Sequence, residues 1–305
     1  MGHPICTIGN LTIDDIILYD TEQMFLECCG GNALYAAIGA KVWKADPTLI
    51  CRAGNSYPEF ELQKLPAFGI KTCLTRVDYN DIRNWALYEP GGARQFINHI
   101  SSWSNTDLSV RGDEITDDCL GMEGYHVAPM PIQQQISVLE RVYRQGVISW
   151  DPYIYSLFEE AGRKLAYQAM QYVDIFLPSQ EEATAMFQSN DMLAAARSFA
   201  DAGANVVAIK MSTRGSLLYL KSTNEFFQIP IYPCNAIDPT GAGDAYCGGF
   251  LTGYLETGDP ISAACYGTVS ASYVTEYVGA LTTFDADFST APDRRKTVTD
   301  RVVRL

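Results

Sequence analysis

The sequence predicts an α/β fold in which a mostly parallel sheet is covered by helices on both faces. Its 305 residues are 47% hydrophobic, which is enough to bury a large core. Short apolar runs alternate with longer segments of helical periodicity along most of the chain, the pattern of strand-helix units. No linker, internal repeat or low-complexity segment interrupts this alternation. We therefore expect one domain over residues 1–305, with ligands bound beyond the C-terminal ends of the strands.

The predicted strands are short apolar runs rich in β-branched residues, as expected for strands buried on both faces. They lie at residues 5–9, 48–53, 125–128, 147–150, 173–177, 205–211 and 216–220. The predicted helices place apolar residues three or four positions apart, as Ile132, Ile136 and Leu139 do. They lie at residues 32–43, 132–145, 155–171, 191–202 and 260–276. The last begins with Asp259 and Pro260, an N-cap residue and a first-turn proline.

Two segments break the alternation and predict a small accessory sheet. Residues 15–29 and 72–100 are rich in alternating apolar and polar positions. In the second segment, residues 85–88 and 94–97 flank a Glu-Pro-Gly-Gly sequence at 89–92, which predicts a hairpin with a Pro-Gly-Gly turn. Because both segments lie between α/β units, we expect their strands to be inserted into the domain.

The charge balance disfavours binding to nucleic acid. The chain has 22 Lys and Arg against 36 Asp and Glu, a formal net charge of −14. Nucleic-acid binding relies on a basic surface that neutralises phosphates. An acidic protein that handles an anionic nucleotide needs local donors instead, such as backbone amides and a bound cation. We therefore expect a small-molecule ligand and no nucleic-acid partner.

The nine cysteines are typical of a protein from a reducing compartment. They are odd in number and scattered through apolar runs, and none has the spacing of zinc ligands. The first residues lack a charged segment followed by a long apolar one, and no run of 18 apolar residues occurs elsewhere. We expect a cytoplasmic protein with no structural metal and no membrane partner.

The most specific segment runs from Asp238 to Asp244 and reads Asp-Pro-Thr-Gly-Ala-Gly-Asp. Its glycines permit tight backbone geometry where a helix begins, and its small residues leave the amides of 242–244 uncovered. Such amides point at an anion, and the helix dipole favours negative charge there. The two aspartates bracket the turn and supply one carboxylate for a cation and one for a proton. An isolated Asp in a first helical turn equally serves only to stabilise the helix, and the residues alone leave that alternative open.

This segment and the Gly-Gly-Phe that follows at 248–250 resemble the C-terminal signature of the ribokinase-like (pfkB) carbohydrate kinases. The resemblance covers most of the chain and implies a three-layer α/β/α fold with a small β-sheet lid. It also implies an ATP- and Mg²⁺-dependent kinase that phosphorylates a hydroxyl of a sugar or sugar-like molecule. Asp244 would be the general base of that reaction. The amides of the turn, at Gly241, Ala242 and Gly243, would form its anion hole.

The resemblance assigns further residues to the substrate and the nucleotide. Residues 5–15 resemble the family's opening strand, in which an Asp grips substrate hydroxyls, here Asp14. The Gly-Gly motif of the sugar pocket matches Gly30 and Gly31, with Asn32 after them. The residues expected beside the nucleotide are Ser179, Glu182, Lys210, Ser212 and Gly215. Glu182 would organise Mg²⁺ through water. Asp238 resembles a position near a monovalent cation, which makes K⁺ a candidate activator.

The match has departures, and several residues have simpler interpretations. Ser179 stands where the family usually has Asn, Ser212 where it usually has Gly, and Tyr35 where ribokinase has a substrate-binding Asn. Asp14 is also suited to an Asx turn or a cap, and the Gly-Gly pair to a helix-entry turn. Glu182 is also suited to a helix start, where acidic residues are favoured, and Lys210 to a solvated strand end.

Other functions fit the sequence less well. A dinucleotide-binding fold would show G-x-G-x-x-G after an early strand, and a P-loop kinase would show G-x-x-x-x-G-K-[ST]; neither occurs. A nucleoside kinase of the same fold remains an alternative, as does a sugar or nucleotide sensor without catalysis. The resemblance further implies a homodimer formed through the lid.

Overall fold

The computed structural model describes residues 2–18, 21–88, 94–98 and 105–305. The strands are β1 Pro4–Asn10, β2 Thr12–Leu18, β3 Gln23–Gly30, β4 Asp46–Ala53, β5 Lys71–Arg76, β6 Ile82–Tyr88, β7 Arg94–Asn98, β8 Gly124–Val127, β9 Val147–Trp150, β10 Ile175–Phe176, β11 Val206–Lys210, β12 Ser216–Leu220, β13 Glu225–Ile229 and β14 Val303–Arg304. The helices are α1 Asn32–Lys41, α2 Glu59–Leu62, α3 Asn105–Leu108, α4 Ile132–Val142, α5 Ile154–Leu157, α6 Glu160–Ala169, α7 Gln180–Phe187, α8 Met192–Ala202, α9 Ala242–Thr257, α10 Pro260–Thr275 and α11 Ala291–Thr299.

Ten strands form the central sheet, in the order β14-β13-β12-β11-β10-β9-β8-β1-β4-β5. The pairs from β11 through to β5 are parallel, whereas β12, β13 and β14 extend the sheet as antiparallel strands. Each predicted strand overlaps an observed one, and the mostly parallel sheet is confirmed. The C-terminal ends of β1, β8, β9, β10 and β11 therefore lie at one edge, where a ligand site is expected.

Helices cover both faces of this sheet. Helices α4, α6, α7 and α8 contribute to the buried apolar cluster on one face, and α1, α9 and α10 to those on the other. Helix α9 packs against α1 and α10. Its contact with α1 is close because two glycines at the contact have no Cβ. A Cβ on Gly248 would lie 1.8 Å from the carbonyl oxygen of Ala36, and a Cβ on Gly39 would lie 2.1 Å from the carbonyl oxygen of Ala245. The glycines thereby fix the position of the start of α9 over the sheet.

Four strands form a second, small sheet in the order β3-β2-β6-β7. The chain passes from β1 into β2 through Leu11 alone, so the two sheets adjoin. Strands β6 and β7 pair antiparallel with Tyr88 opposite Arg94, as the hairpin prediction requires, although its turn at 89–92 lies outside the described residues. The inner face of this sheet buries Ile16, Leu18 and Ala86.

Three predicted boundaries need correction. Residues 72–76 belong to β5, an edge strand of the central sheet that pairs in parallel with β4, and not to the small sheet. The small sheet also begins earlier than residue 15, at Thr12. The helix predicted at 155–171 is two helices, because Glu159 adopts an extended conformation between them.

The prediction that Asp259 caps α10 is confirmed, since its carboxylate accepts hydrogen bonds from the amides of Ile261 and Ser262. Within the described ranges, no helix is long and apolar enough to cross a membrane.

Candidate active site

The first turn of α9 follows a tight turn that glycine adopts most readily. Its N-cap residue, Gly241, has φ 72° and ψ 1°, in the left-handed region. A Cβ on Gly241 would also lie 2.1 Å from the ring of Tyr35. Gly243 is different: apart from its chain neighbours and the helix backbone, the nearest described atom to a Cβ there would be Nζ of Lys210, at 3.8 Å. The turn therefore leaves an open cradle beside one lysine.

The amides predicted to bind an anion are not equivalent. The N–H of Ala242 donates to the carbonyl of Pro239 at 3.2 Å, because the tight turn closes on itself. This hydrogen bond corrects the prediction that the amide of Ala242 faces an anion. Gly243 and Asp244 lie in the first turn of α9, where the helix supplies no acceptor for an N–H and its dipole favours negative charge.

Asp14 lies on β2, on the inner face of the small sheet, and is almost fully buried. Its two carboxylate oxygens accept hydrogen bonds of 2.9 Å, one from the side chain of Asn84 and one from the hydroxyl of Thr12. Burial raises the pKa of Asp14 to about 6; the two hydrogen bonds oppose this shift, and the charges of Asp238 and Asp15 add to it. Its position in a strand argues against the Asx-turn and cap interpretations.

The Gly-Gly pair serves two different purposes. A Cβ on Gly30 would lie 2.4 Å from the carboxylate of Asp14, so glycine makes room for that side chain. Gly31 is the N-cap of α1 with φ 119°, which matches the helix-entry interpretation. Asn32 braces the backbone, because its amide accepts from the N–H of Asn10 and donates to the carbonyl of Pro129. A contact between Asn32 and substrate stays a prediction.

Asp238 anchors the loop that leads into α9. Its carboxylate accepts from the N–H and hydroxyl of Thr240 and from the N–H of Gly279. The hydroxyl of Thr240 also bonds to that of Tyr88, at the end of β6. Since the Thr240 hydroxyl donates to Asp238, it accepts from Tyr88. The loop is thus joined to the small sheet by a hydrogen-bonded chain.

Ser179 and Glu182 form a capping box at the start of α7. The Ser179 hydroxyl accepts from the N–H of Glu182 at 3.2 Å, and the Glu182 carboxylate accepts from the N–H of Ser179 at 2.6 Å. This geometry matches the helix-start interpretation of Glu182. It also explains why Ser is acceptable at position 179, because serine is a favoured N-cap residue.

The structure reveals a buried acidic residue near α9 that the sequence reasoning missed. Asp151 directly follows β9 and forms an ion pair with Lys210, at the end of β11. Burial raises the pKa of Asp151 well above its ordinary value, the Lys210 ammonium opposes that shift, and the carboxylates of Glu182 and Asp244 add to it. Burial alone would lower the pKa of Lys210, but the neighbouring carboxylates, chiefly Asp151, raise it. Lys210 is therefore not a solvated strand-end lysine.

The conformation of the turn after β11 explains why the family usually has glycine at the position of Ser212. Ser212 has φ 51°, a conformation that suits glycine, the residue usually found there. Gly215 has φ 79°, and a Cβ on it would lie 1.9 Å from the carbonyl oxygen of Ile229. Both residues shape the turn that follows Lys210.

The predicted residues thus form two groups around the start of α9. One group lies toward the small sheet and contains Asp14, Tyr35 and Asp238. Burial is the main cause of the raised pKa of the Tyr35 phenol, and the carboxylates of Asp238 and Asp14 raise that pKa further. The other group contains Glu182, Lys210 and Asp244, with Asp151 added by the structure.

Comparison with known proteins finds one matching family and relatives that are themselves kinases. The model of the pfkB family carbohydrate kinases matches residues 4–287. A cytidine kinase of Thermococcus kodakarensis is 28% identical over 253 residues, which are 82% of this chain and 88% of that protein.

Two solved structures have the same fold. A nucleoside kinase of Methanocaldococcus jannaschii matches with a TM-score of 0.74 at 17% identity, covering 97% of this chain and 100% of its own. A fructokinase of Xylella fastidiosa with bound ATP matches with a TM-score of 0.77 at 14% identity, covering 97% of this chain and 99% of its own. The sequence-based prediction of the ribokinase-like fold is confirmed.

Proposed function

Because this chain belongs to the pfkB family of carbohydrate kinases, we propose that it transfers the γ-phosphoryl group of ATP to a hydroxyl of a sugar or nucleoside, with Asp244 as general base. The observation that carries this proposal is the first turn of α9, which combines that carboxylate with an open cradle at Gly243 beside Lys210. A helix N-terminus and a lysine together supply positive potential for a phosphate, which an acidic chain otherwise lacks.

Each group of residues has a role in the proposed reaction. Ionised Asp14 accepts hydrogen bonds from acceptor hydroxyls, and Gly30 keeps the space beside it open. Asp244 takes the proton of the acceptor hydroxyl while the oxygen of that hydroxyl bonds to the γ-phosphorus. The bond between the γ-phosphorus and the β–γ bridging oxygen breaks, and ADP leaves. The amides of Gly243 and Asp244 stabilise the charge on the phosphoryl group. Mg²⁺, bound with ATP, would neutralise phosphate charge, with Glu182 ordering its waters.

The replacement Asp244→Asn tests the catalytic role. Loss of a general base lowers turnover by at least about 10²-fold, while nucleotide binding persists. Asp293→Asn is the matched control, because Asp293 is an exposed carboxylate in the first turn of α11. ADP release is measured with a panel of sugars and nucleosides. If both variants lose the same small amount of activity, Asp244 is only a helix-terminal charge; if the wild type releases no ADP with any acceptor, the chain is a sensor.

The acceptor class follows from a thermal-shift screen. A specific acceptor stabilises the folded state by mass action, by about 2.7 kcal/mol at a hundred times its Kd. Sugars, polyols and nucleosides are screened with a non-hydrolysable ATP analogue present. The relation to a cytidine kinase supports including cytidine, and the fructokinase fold supports including ketoses.

We further propose that the small sheet is a lid whose outer face forms a homodimer. Its large apolar side chains are exposed, Met24 and Leu26 to 60% and Ile97 to 41%, which is unusual for a surface without a partner. Light scattering at micromolar concentration is expected to give a dimer for the wild type and a monomer for Leu26→Glu. A monomeric wild type contradicts this part of the proposal.

Asp238 is the proposed neighbour of a monovalent cation. If that proposal is correct, turnover falls when K⁺ is replaced by tetramethylammonium at constant ionic strength. Equal rates in both salts contradict it.

A further inference from the structure

A buried ion pair lies directly beneath the first turn of α9. Asp151 directly follows β9 and Lys210 is the last residue of β11, and their side chains are only 4% and 13% exposed. Cys247, in the second turn of α9, lies above the pair, with its sulfur 3.4 Å from Nζ of Lys210 and 3.6 Å from the Asp151 carboxylate. The pair is therefore enclosed by the sheet on one side and by α9 on the other.

Stability alone is a poor reason for this pair. Removing two charges from water costs several kcal/mol for each ion, and well-packed apolar residues often serve as well or better. The second oxygen of Asp151, Oδ1, is buried and has no hydrogen-bond partner among the described residues. Within the described ranges, the one ion pair of Asp151 is with Lys210, so we expect Asp151 to act through that residue.

The position of the lysine points to a phosphate. Nζ of Lys210 is the nearest described atom to the space that Gly243 leaves open. The titratable groups that interact with this lysine are Asp151, Cys247, Glu182, His126 and Tyr246, and Asp244 adds to the negative charge around Asp151. Lys210 is the one cation in that set, because burial, reinforced by the Lys210 charge, lowers the pKa of His126 to about 3 and keeps it neutral. The carboxylates of this cluster repel an anion and the ammonium of Lys210 attracts it. An anion can therefore bind only on the side where the ammonium is exposed to it.

We propose that Lys210 is a fixed cationic contact of the terminal phosphoryl group of the nucleotide, and that Asp151 is the positioning residue that holds its ammonium beneath the α9 turn. This inference rests on the proposed function, because it assumes that a nucleoside triphosphate occupies the site. It makes the role of that lysine specific and adds Asp151 as the residue that fixes its position.

Calorimetry with Mg²⁺ and either AMP-PNP or ADP tests the contact without an acceptor. A charge-assisted hydrogen bond to the terminal phosphoryl group favours the triphosphate alone, so Lys210→Met is expected to weaken AMP-PNP binding at least about tenfold and ADP binding much less. The matched control is Lys221→Met, which removes a lysine at the other end of the same strand pair, bonded to the carbonyl of Ala200. It leaves the ratio of the two affinities unchanged.

The double variant Asp151→Asn/Lys210→Met tests the positioning role. If Asp151 acts through Lys210, the double variant has the same ratio of AMP-PNP to ADP affinity as Lys210→Met alone. Asp151→Asn alone is expected to lose part of that ratio. Should it fail to fold with an unpaired buried lysine, the double variant, which removes both charges, still gives the comparison.

The outcomes separate this inference from the proposed function. Lys210→Met with an unchanged ratio overturns the phosphoryl contact and leaves the kinase proposal intact. An additive further loss in the double variant overturns the positioning role of Asp151. A wild type that binds neither nucleotide overturns the kinase proposal and this inference together.

Discussion

At the scale of single residues, the raised pKa of Asp14 is expected to make both stability and the proposed acceptor binding depend on pH. Its pKa is raised to about 6, mainly by burial, so the carboxylate takes up a proton between pH 7 and 5. The folded state then holds that proton more tightly than the unfolded chain does. The contribution of Asp14 to stability is therefore greatest below the ordinary pKa of an aspartate, 3.8. It is lost as the pH rises from that value through the raised pKa of about 6.

Acceptor binding has the opposite pH dependence, because the ionised carboxylate is the form that accepts hydrogen bonds from hydroxyls. We expect the Kd of an uncharged acceptor to increase about tenfold for each pH unit below 6, and to be constant above pH 7. Calorimetry at several pH values, without nucleotide, measures this. Asp14→Asn is the comparison, since its weaker binding is expected to be independent of pH. A wild-type Kd that is flat from pH 5 to 8 contradicts the assignment.

The turn after β11 offers a matched pair of substitutions. Ser212 and Gly215 both have positive φ, but only the first carries a side chain. Ser212→Gly is expected to stabilise the protein by up to about 1 kcal/mol, because it removes left-handed strain from a residue with a Cβ. Gly215→Ala is expected to destabilise it by about 1–3 kcal/mol, because its Cβ would overlap the carbonyl of Ile229. Denaturant unfolding measures both; a loss of stability in Ser212→Gly contradicts this interpretation of the turn.

At the scale of an element, strand β6 connects the proposed acceptor site to the proposed phosphate site. Asn84 and Tyr88 point to the same face of the strand, four residues apart. One donates to Asp14, and the other bonds to Thr240, the residue before Gly241. We therefore expect an acceptor that orders the first contact to order the second as well.

The substitution Tyr88→Phe tests this connection. It removes one neutral hydrogen bond, so we expect AMP-PNP to bind about 2- to 10-fold more weakly when acceptor is present, with a smaller change when it is absent. Tyr219→Phe is the control, because its hydroxyl bonds to Asn224 in the antiparallel extension of the sheet. Equal losses with and without acceptor show that Tyr88 does not couple the two sites.

The sequence predicted elements and motifs better than it predicted contacts. The tight turn at the start of α9 was predicted because it depends on local spacing, whereas substrate binding by Asp14 stays a prediction. Asp151 was missed because its partner, Lys210, lies 59 positions away and no local pattern marks an Asp that follows a strand. Its place at the C-terminal end of a parallel strand was the available indication. The role of Asn32 was equally non-local, since its amide joins β1 to Pro129.

The boundary error at 72–76 has a similar cause. An edge strand of the central sheet is only partly buried, so β5, Lys-Thr-Cys-Leu-Thr-Arg, lacks the continuous apolar run that marks the buried parallel strands. Only its pairing with β4 distinguishes the two cases, and pairing is a property of the folded chain.

At the scale of the whole molecule, the net charge of −14 opposes the approach of an anionic nucleotide. We expect the association rate of AMP-PNP to increase as ionic strength rises from about 0.01 to 0.15 M, because salt screens this repulsion over about 8 Å at the higher value. Stopped-flow binding measures the rate. Adenosine, which is uncharged, is the control and is expected to show little change. A rate that falls with salt indicates that the local positive potential reaches into solution.

The junction between the two sheets also limits how the cleft can open. The backbone of Gly31 lies directly on the neighbouring crossing, where its missing Cβ would be 2.3 Å from the carbonyl oxygen of Asn10 and 2.6 Å from Cα of Leu11. We expect two chain passages in such close contact to act as a single pivot axis. The small sheet is consequently expected to swing about this axis and not to slide, so that the arc travelled is shortest near Asp14 and longest at the tip that carries Tyr88.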